Sequence, residues 1–394
     1  MPADAVPLIM GILIFFASLI SLRLGFSVAI IEVILGVLFG NLGLIQSEPW
    51  MLYLATFGGI ILTFLAGAEI DLDLMREKYR ESFLIGFFSF IIPFVVVTAY
   101  TYYFAGWSLQ SALIGGTALS TTSLAVVYSV LVESRMCQTG YGKIIMAATF
   151  VTDICTAIAL SVLFLQPTVY TLVFIVVSLA VIYLAMQYSH LLFTHPLIKN
   201  RVVEPEVKFV LLLLLIFMYF GSLGNGQAVL PAFLLGLLIA KYRTKDRWFT
   251  ETVEMKGISV KLRIIAYAVI TPVFFIVGGM NVSVPMILSA LGLFVILFGL
   301  KIVSKFAGVY KLSKKFIPDA SMYSTLLMST GLTFGTIASV FGLSMGYINQ
   351  LQYSVLIGVV IASAVIPTFI AQKWFKPLHS EDLGDMKFDG WNPQ

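Results

Sequence analysis

Apolar runs of bilayer length, separated by short clusters of charged and turn-forming residues, recur from one end of the chain to the other. Runs of about 18 to 25 residues are long enough to cross about 30 Å of hydrocarbon as α-helices, whereas a membrane barrel shows short segments of strict alternation. The punctuation predicts about thirteen spans, near 5–22, 26–44, 50–70, 82–105, 109–132, 142–165, 168–188, 206–223, 226–241, 260–280, 285–309, 320–342 and 350–374. The first run, from Val6 to Leu22, lacks a basic leader and a clear small-residue cleavage site, so it reads as a retained span.

Lys and Arg resist translocation and mark cytoplasmic loops. Arg23, the Arg76–Arg80 cluster, Arg135 with Lys143, and Lys199, Arg201 and Lys208 fall in successive loops of one face. The segment from Lys241 to Arg263, then Lys311, Lys314 and Lys315, and the tail from Lys373 continue that face. The opposite loops, around Gln46, Gly106, Gln166, Gly224, Asn281 and Gly346, carry no Lys or Arg. The asymmetry supports the span count and predicts an outside N-terminus and a cytoplasmic C-terminus.

Span 2 contains Ile34-Leu35-Gly36-Val37-Leu38-Phe39, and span 9 contains Leu234-Leu235-Gly236-Leu237-Leu238-Ile239. Span 3 ends in Phe64-Leu65-Ala66-Gly67-Ala68-Glu69, and span 10 in Phe275-Ile276-Val277-Gly278-Gly279-Met280. Spans 5 and 12 share hydroxyl-rich centres, Thr117 to Ser123 and Ser329 to Thr336. Halves offset by an odd number of spans have opposite orientation in the membrane, an arrangement common in secondary transporters. The expected architecture is an all-α polytopic membrane protein of two inverted six-helix repeats, 1–165 and 206–376, with a linker helix and loop (166–205) and a tail (377–394).

Composition agrees with membrane residence: 59% of the 394 residues are hydrophobic, 11% are charged, and the mean hydropathy is +0.99. The net charge of +4 reflects loop topology, and no soluble domain offers a basic surface for nucleic acid. Cys137 and Cys155 are too few for a disulfide framework and read as small apolar filler. No nucleophile-and-base or metal constellation supports a membrane enzyme, and His190, His195 and His379 lie in loops or the tail.

Spans 5 and 12 are poor membrane helices through their middles. Either both unwind near the midplane, exposing half-helix ends and carbonyls to an ion, or they pack closely through small residues such as Gly331 and Gly335. An ionisable residue at membrane depth costs about 2.5 to 3.5 kcal/mol on insertion scales, which makes each a functional candidate. Asp153, central in span 6, has no cation within one helical turn, so another span or a bound ion must neutralise it. Lys301 and Lys305 project from a similar face of span 11, and whichever lies nearer the water is expected to snorkel, Lys301 being the deeper by sequence. Glu32 in span 2 is open to three readings: a second proton site, an interface residue or a hydrogen-bonded structural acid. Glu69, Asp71 and Asp73 beside Arg76 and Arg80 read as a solvated network.

The series Ile31-Glu32-Val33-Ile34-Leu35-Gly36, Phe64 to Asp71, Thr122-Ser123, Thr152-Asp153, Ala232 to Gly236, Thr271 to Phe275 and Ser304-Lys305 resembles the Kef-type branch of the cation:proton antiporter superfamily, across nearly the whole transmembrane chain. The resemblance implies a sodium/proton antiporter-like fold with crossed broken helices. It also implies a homodimer whose scaffold stays fixed while a core of spans 5, 6, 11 and 12 moves like an elevator. It departs in two places. Thr152 stands where relatives commonly have Asp or Asn, which removes the first acid that Lys305 can pair with in relatives, and the tail carries no Gly-rich fingerprint of the nucleotide-binding regulatory domain that Kef-type relatives often have.

A buried carboxylate that binds a proton or a cation, but not both, couples the two by competition. The expected ion and proton site is Asp153 with hydroxyls of Thr152, Thr122 and Ser123, and Lys305 as charge partner. Accessory candidates are Glu32, Lys301, Thr121, Ser329, Thr330 and Thr333. Hard oxygen ligands suit Na+ or K+, and no cofactor is expected. The expected setting is the cell (inner) membrane, with lipid and possible regulatory partners. A cation channel and a sodium-coupled organic-anion carrier are the rival transport readings.

Overall fold

The computed structural model describes residues 5–24, 27–68, 78–134, 136, 139–164, 168–194, 203–223, 228–244 and 261–377, and no strand occurs among them. The first half forms α1 (Ala5–Leu24), α2 (Val28–Asn41), α3 (Pro49–Ala68), α4 (Tyr79–Tyr103), α5 (Leu109–Ser120), α6 (Leu124–Glu133), α7 (Gly140–Leu163) and α8 (Val169–Thr194). The second forms α9 (Pro205–Leu223), α10 (Val229–Thr244), α11 (Thr271–Met280), α12 (Val284–Ser289), α13 (Leu291–Phe316), α14 (Ser321–Met328), α15 (Thr333–Ser344) and α16 (Gln350–Trp374). Among the described residues ten stretches are long and apolar enough to cross a membrane, and three shorter apolar helices, Val28–Asn41, Val169–Ala185 and Val229–Ala240, occupy the remaining expected spans. The chain is thus an integral membrane protein.

Glu69, Asp71, Asp73, Arg76, Arg135, Cys137, His195, Lys199, Arg201, the segment 245–260 and the tail from 378 with His379 lie outside the described residues.

Two expected spans are more complex than their hydropathy suggests. Before α11, Ala266–Ile270 forms a π-helical turn. Pro272 has no N–H to offer and its ring crowds the carbonyl four residues back, which widens the preceding turn. Span 11 divides at Ala290, leaving the short α12 beside α16 and the 26-residue α13 crossing alone.

The helices pack in two sets. In one, α3 lies between α10 and α11, α11 also crosses α2, and α1 flanks α2. In the other, α4 is the central helix, packed along α5, α7 and α13, while α14 and α15 join α13, α5 and α16. Glycines set both hearts. A Cβ on Gly36 would strike the Ile276 carbonyl and one on Gly279 the Val33 carbonyl, so α2 and α11 meet backbone to backbone. Gly67 and Gly236 stand in the same reciprocal relation to the Phe233 and Phe64 carbonyls, between α3 and α10. In the second set, Gly308 of α13 presses on the Phe88 carbonyl of α4, and Gly86 of α4 on the Ala148 carbonyl of α7. Without a hydrophobic drive between helices in lipid, such close contacts are what hold them together.

Gly236→Ala is expected to force α3 and α10 apart and cost about 1 to 3 kcal/mol as an overpacking defect. Thermal unfolding of the detergent-purified protein checks this, with Gly299→Ala, whose Cβ meets nothing within 4 Å, as the control expected to melt like the parent.

Candidate functional site

Both hydroxyl-rich spans are broken. The helical path stops at Ser120, turns extended at Thr121 (φ −67°, ψ 157°), and resumes at Leu124; its counterpart stops at Met328 and resumes at Thr333. Serine and threonine offer the backbone an alternative to continued helix. Here Ser120 Oγ donates to the Thr117 carbonyl (2.9 Å) and Thr121 Oγ1 to Ala118 (3.1 Å). Ser329 Oγ donates to Thr325 (2.8 Å) and Thr330 Oγ1 to Leu327 (2.7 Å). Each half-helix thus satisfies terminal carbonyls with its own hydroxyls, in a region where water is excluded.

The two breaks also bind one another. Ser123 N–H donates to the Thr330 carbonyl (3.2 Å), Thr122 Oγ1 donates to the Met328 carbonyl (2.9 Å), and Ser123 Oγ lies 3.2 Å from Thr333 Oγ1. All of Thr121, Thr122, Ser123, Ser329 and Thr330 are 0% exposed. Of the two sequence readings, unwinding is the one adopted. Close packing accompanies it, since Gly331 and Gly335 both face Thr121.

Against this crossing stands α7, whose face carries Thr149, Thr152, Asp153 and Thr156, all buried. Thr149 Oγ1 reaches Met328 Sδ at 3.6 Å, tying α7 to the end of α14. Thr152 Oγ1 donates to the Thr149 carbonyl (2.7 Å), so its proton is committed to its own helix and an oxygen lone pair is what it has left for a cation.

Lys305 completes the group. Its ammonium donates to Ser89 Oγ of α4 (2.8 Å) and to Thr122 Oγ1 (3.0 Å), and it lies within electrostatic range of Asp153 and Lys301. Because Thr122 has one hydroxyl proton, already given to Met328, it accepts from the lysine, and a directed relay runs from Lys305 through Thr122 to the Met328 carbonyl. The expected snorkelling is corrected here: Lys301 and Lys305 are both fully buried. The packing of α13 along α4 turns that face inward, so neither stem points toward water.

Asp153, Thr152, Thr122, Ser123, Thr333 and Lys305 therefore share one neighbourhood. Glu32 is buried on α2, whose main packing partners are α1, α11 and α16, not the helices that carry Asp153 and Lys305. Ser89 was not foreseen; a single hydroxyl in Phe87-Phe88-Ser89-Phe90 is a weak signal. Among the described residues no group of three or more His, Cys, Asp or Glu could hold a metal ion. The donors at the crossing are a carboxylate, hydroxyls and carbonyls, which suit a hard monovalent cation as cargo.

Comparison with known proteins bears on the fold and the family. A solved sodium proton antiporter from Methanocaldococcus jannaschii has the same fold, with TM-score 0.69 at 14% identity, covering 95% of this chain and all of that one. The chain is 25% identical over 357 residues to the probable Na(+)/H(+) antiporter 3 of the same organism, covering 87% of this chain and 89% of the relative. It is 26% identical over 361 residues to the Na(+)/H(+)-K(+) antiporter GerN of Bacillus cereus, covering 88% and 89%. These relatives do not single out the Kef-type branch. Since the model of the transmembrane sodium/hydrogen exchanger family matches residues 11–376, the chain belongs to that family.

Proposed function

We propose that this chain exchanges a monovalent cation, Na+ or K+, for protons across the cell (inner) membrane. The observation that carries the reading is Asp153, 1% exposed, set beside two interlocked broken helices and within electrostatic range of Lys305. A proton and a cation compete for that carboxylate. Loaded with either, the site crosses the hydrocarbon region more easily than as a bare carboxylate, so one flux drives the other without chemical reaction. The printed names of the relatives, Na+/H+ and Na+/H+-K+ antiporters, support the choice of ions.

The moving unit in this reading is the set of α4 to α7 with α13 to α16, sliding against α1 to α3 and α9 to α11. The division of close contacts into these two sets supports an elevator motion. The glycine crossings support the inverted repeat, because the contact of Gly36 with Gly279 has the form of the contact of Gly236 with Gly67, one position along from the Gly67–Gly278 match of the two motifs. Homodimerisation through the fixed set, an outside N-terminus and Kef-type membership belong to the same proposal, the last supported by the motif series from Ile31 to Lys305. With Thr152 in place of a second acid, one cation exchanges for one proton and no net charge moves.

Asp153→Asn is expected to reduce cation-driven pH change in proteoliposomes to the level of protein-free vesicles; undiminished exchange with Na+, K+ and Li+ would remove the carboxylate from the mechanism. Thr122→Val, which interrupts the relay from Lys305, is expected to raise the cation concentration for half-maximal exchange about tenfold, equivalent to about 1.4 kcal/mol. Currents on a solid-supported membrane check the stoichiometry: the parent protein is expected to exchange ions without net current, and a voltage-driven current would assign it more than one proton per cation.

A further inference from the structure

Lys301 precedes Lys305 by one turn of α13, and the exchange cycle above makes no use of it. Its side chain is 0% exposed, and Nζ has no hydrogen-bond partner among the described residues. An ammonium in a dry interior is costly unless nearby partial charges replace its water. The place it occupies is built for that. A Cβ added to Gly331 would run into Lys301 Nζ and would stand 2.8 Å from both the carbonyl and the hydroxyl oxygen of Thr121. The ammonium, the Gly331 backbone and two Thr121 oxygens therefore border one small volume, left open by the missing side chain of Gly331. It lies just past the end of α5, where the helix dipole is negative.

Oxygen atoms, a negative helix end and exclusion of water are the surroundings of a dehydrated monovalent cation. A lysine ammonium is a compact point charge of comparable size. We propose that Lys301 is a tethered cation that fills a second cation position at the helix crossing, on the Thr121–Gly331 side, and thereby limits the transported load to the single ion at Asp153. The proposal rests on the exchange reading and specifies how many ions that site accepts. Removing the amine while keeping its stem both opens the position and withdraws one positive charge, so a free Na+ or K+ takes its place.

The test is thermal unfolding of purified Lys301→Met in N-methylglucamine against increasing Na+ or K+ at constant ionic strength, with the parent alongside. The variant is expected to melt several degrees below the parent in the organic cation and to recover saturably as the small cation is added. In Lys301→Met with Asp153→Asn the recovery is expected to persist, because the second position does not use the carboxylate. Transport by Lys301→Met is expected to become sigmoidal in cation and to carry net current. A variant that melts like the parent throughout, or whose loss of stability no small cation repairs beyond the parent's own response, overturns the proposal. If Lys301→Met yields no folded protein, Lys301→Gln is taken through the same titration, and failure of both to recover in any monovalent cation is equally decisive. The melting readout needs no transport, so its failure is separate from that of the exchange reading, which Asp153→Asn tests alone.

Discussion

A hydrocarbon interior offers no water to the polar backbone, and the centre of this protein interrupts two helices in that interior. Everything near the site follows from how the interrupted groups are satisfied. Hydroxyls of Ser120, Thr121, Ser329 and Thr330 turn back onto their own half-helices, while Thr122 and Ser123 reach across to Met328 and Thr330. The crossing is therefore one hydrogen-bonded body made from two distant parts of the chain. Asp153 and Lys305 are brought to it by α7 and α13, both packed on α4.

The role of α4 joins fold to site. Close backbone approach at Gly86 and Gly308 draws α7 and α13 against it, and Ser89, next in the chain to the Phe88 that Gly308 meets, receives the ammonium of Lys305. Lys305 thus links α4 to the break after α5 through two acceptors on different elements. The glycine contacts of α2 with α11 and of α3 with α10 belong to the other packed set and touch none of these groups.

Much of this was legible in the chain. Apolar runs of bilayer length are hard to mistake, and all thirteen expected spans contain helix among the described residues. The breaks were legible because hydroxyls and glycine stand where lipid-facing leucine belongs, and Asp153 because a lone carboxylate mid-span has no local partner. Of the glycines in the motifs matched between the halves, Gly36, Gly67 and Gly236 are crossing points, while the fourth is Gly279, one position after the Gly278 that the match paired with Gly67. What spacing did not reveal depends on packing. The inward direction of Lys301 and Lys305 comes from the pairing of α13 with α4, Ser89 matters only because that pairing exists, and the division of span 11 at Ala290 has no hydropathy signal. The proline signal at Pro272 was present, but hydropathy does not register a π-helical turn.

The four hydroxyls that cap their own half-helices have a kinetic meaning. Because the chain's own hydroxyls satisfy the breaks, the exchange proposed above would spend none of a cation's binding energy on unwinding helix or ordering loops. In the exchange reading, a standing site of this kind would load and empty quickly, as suits an ion that must leave again on the far side. The elevator motion proposed above would then leave turnover to the sliding of one packed set of helices past the other.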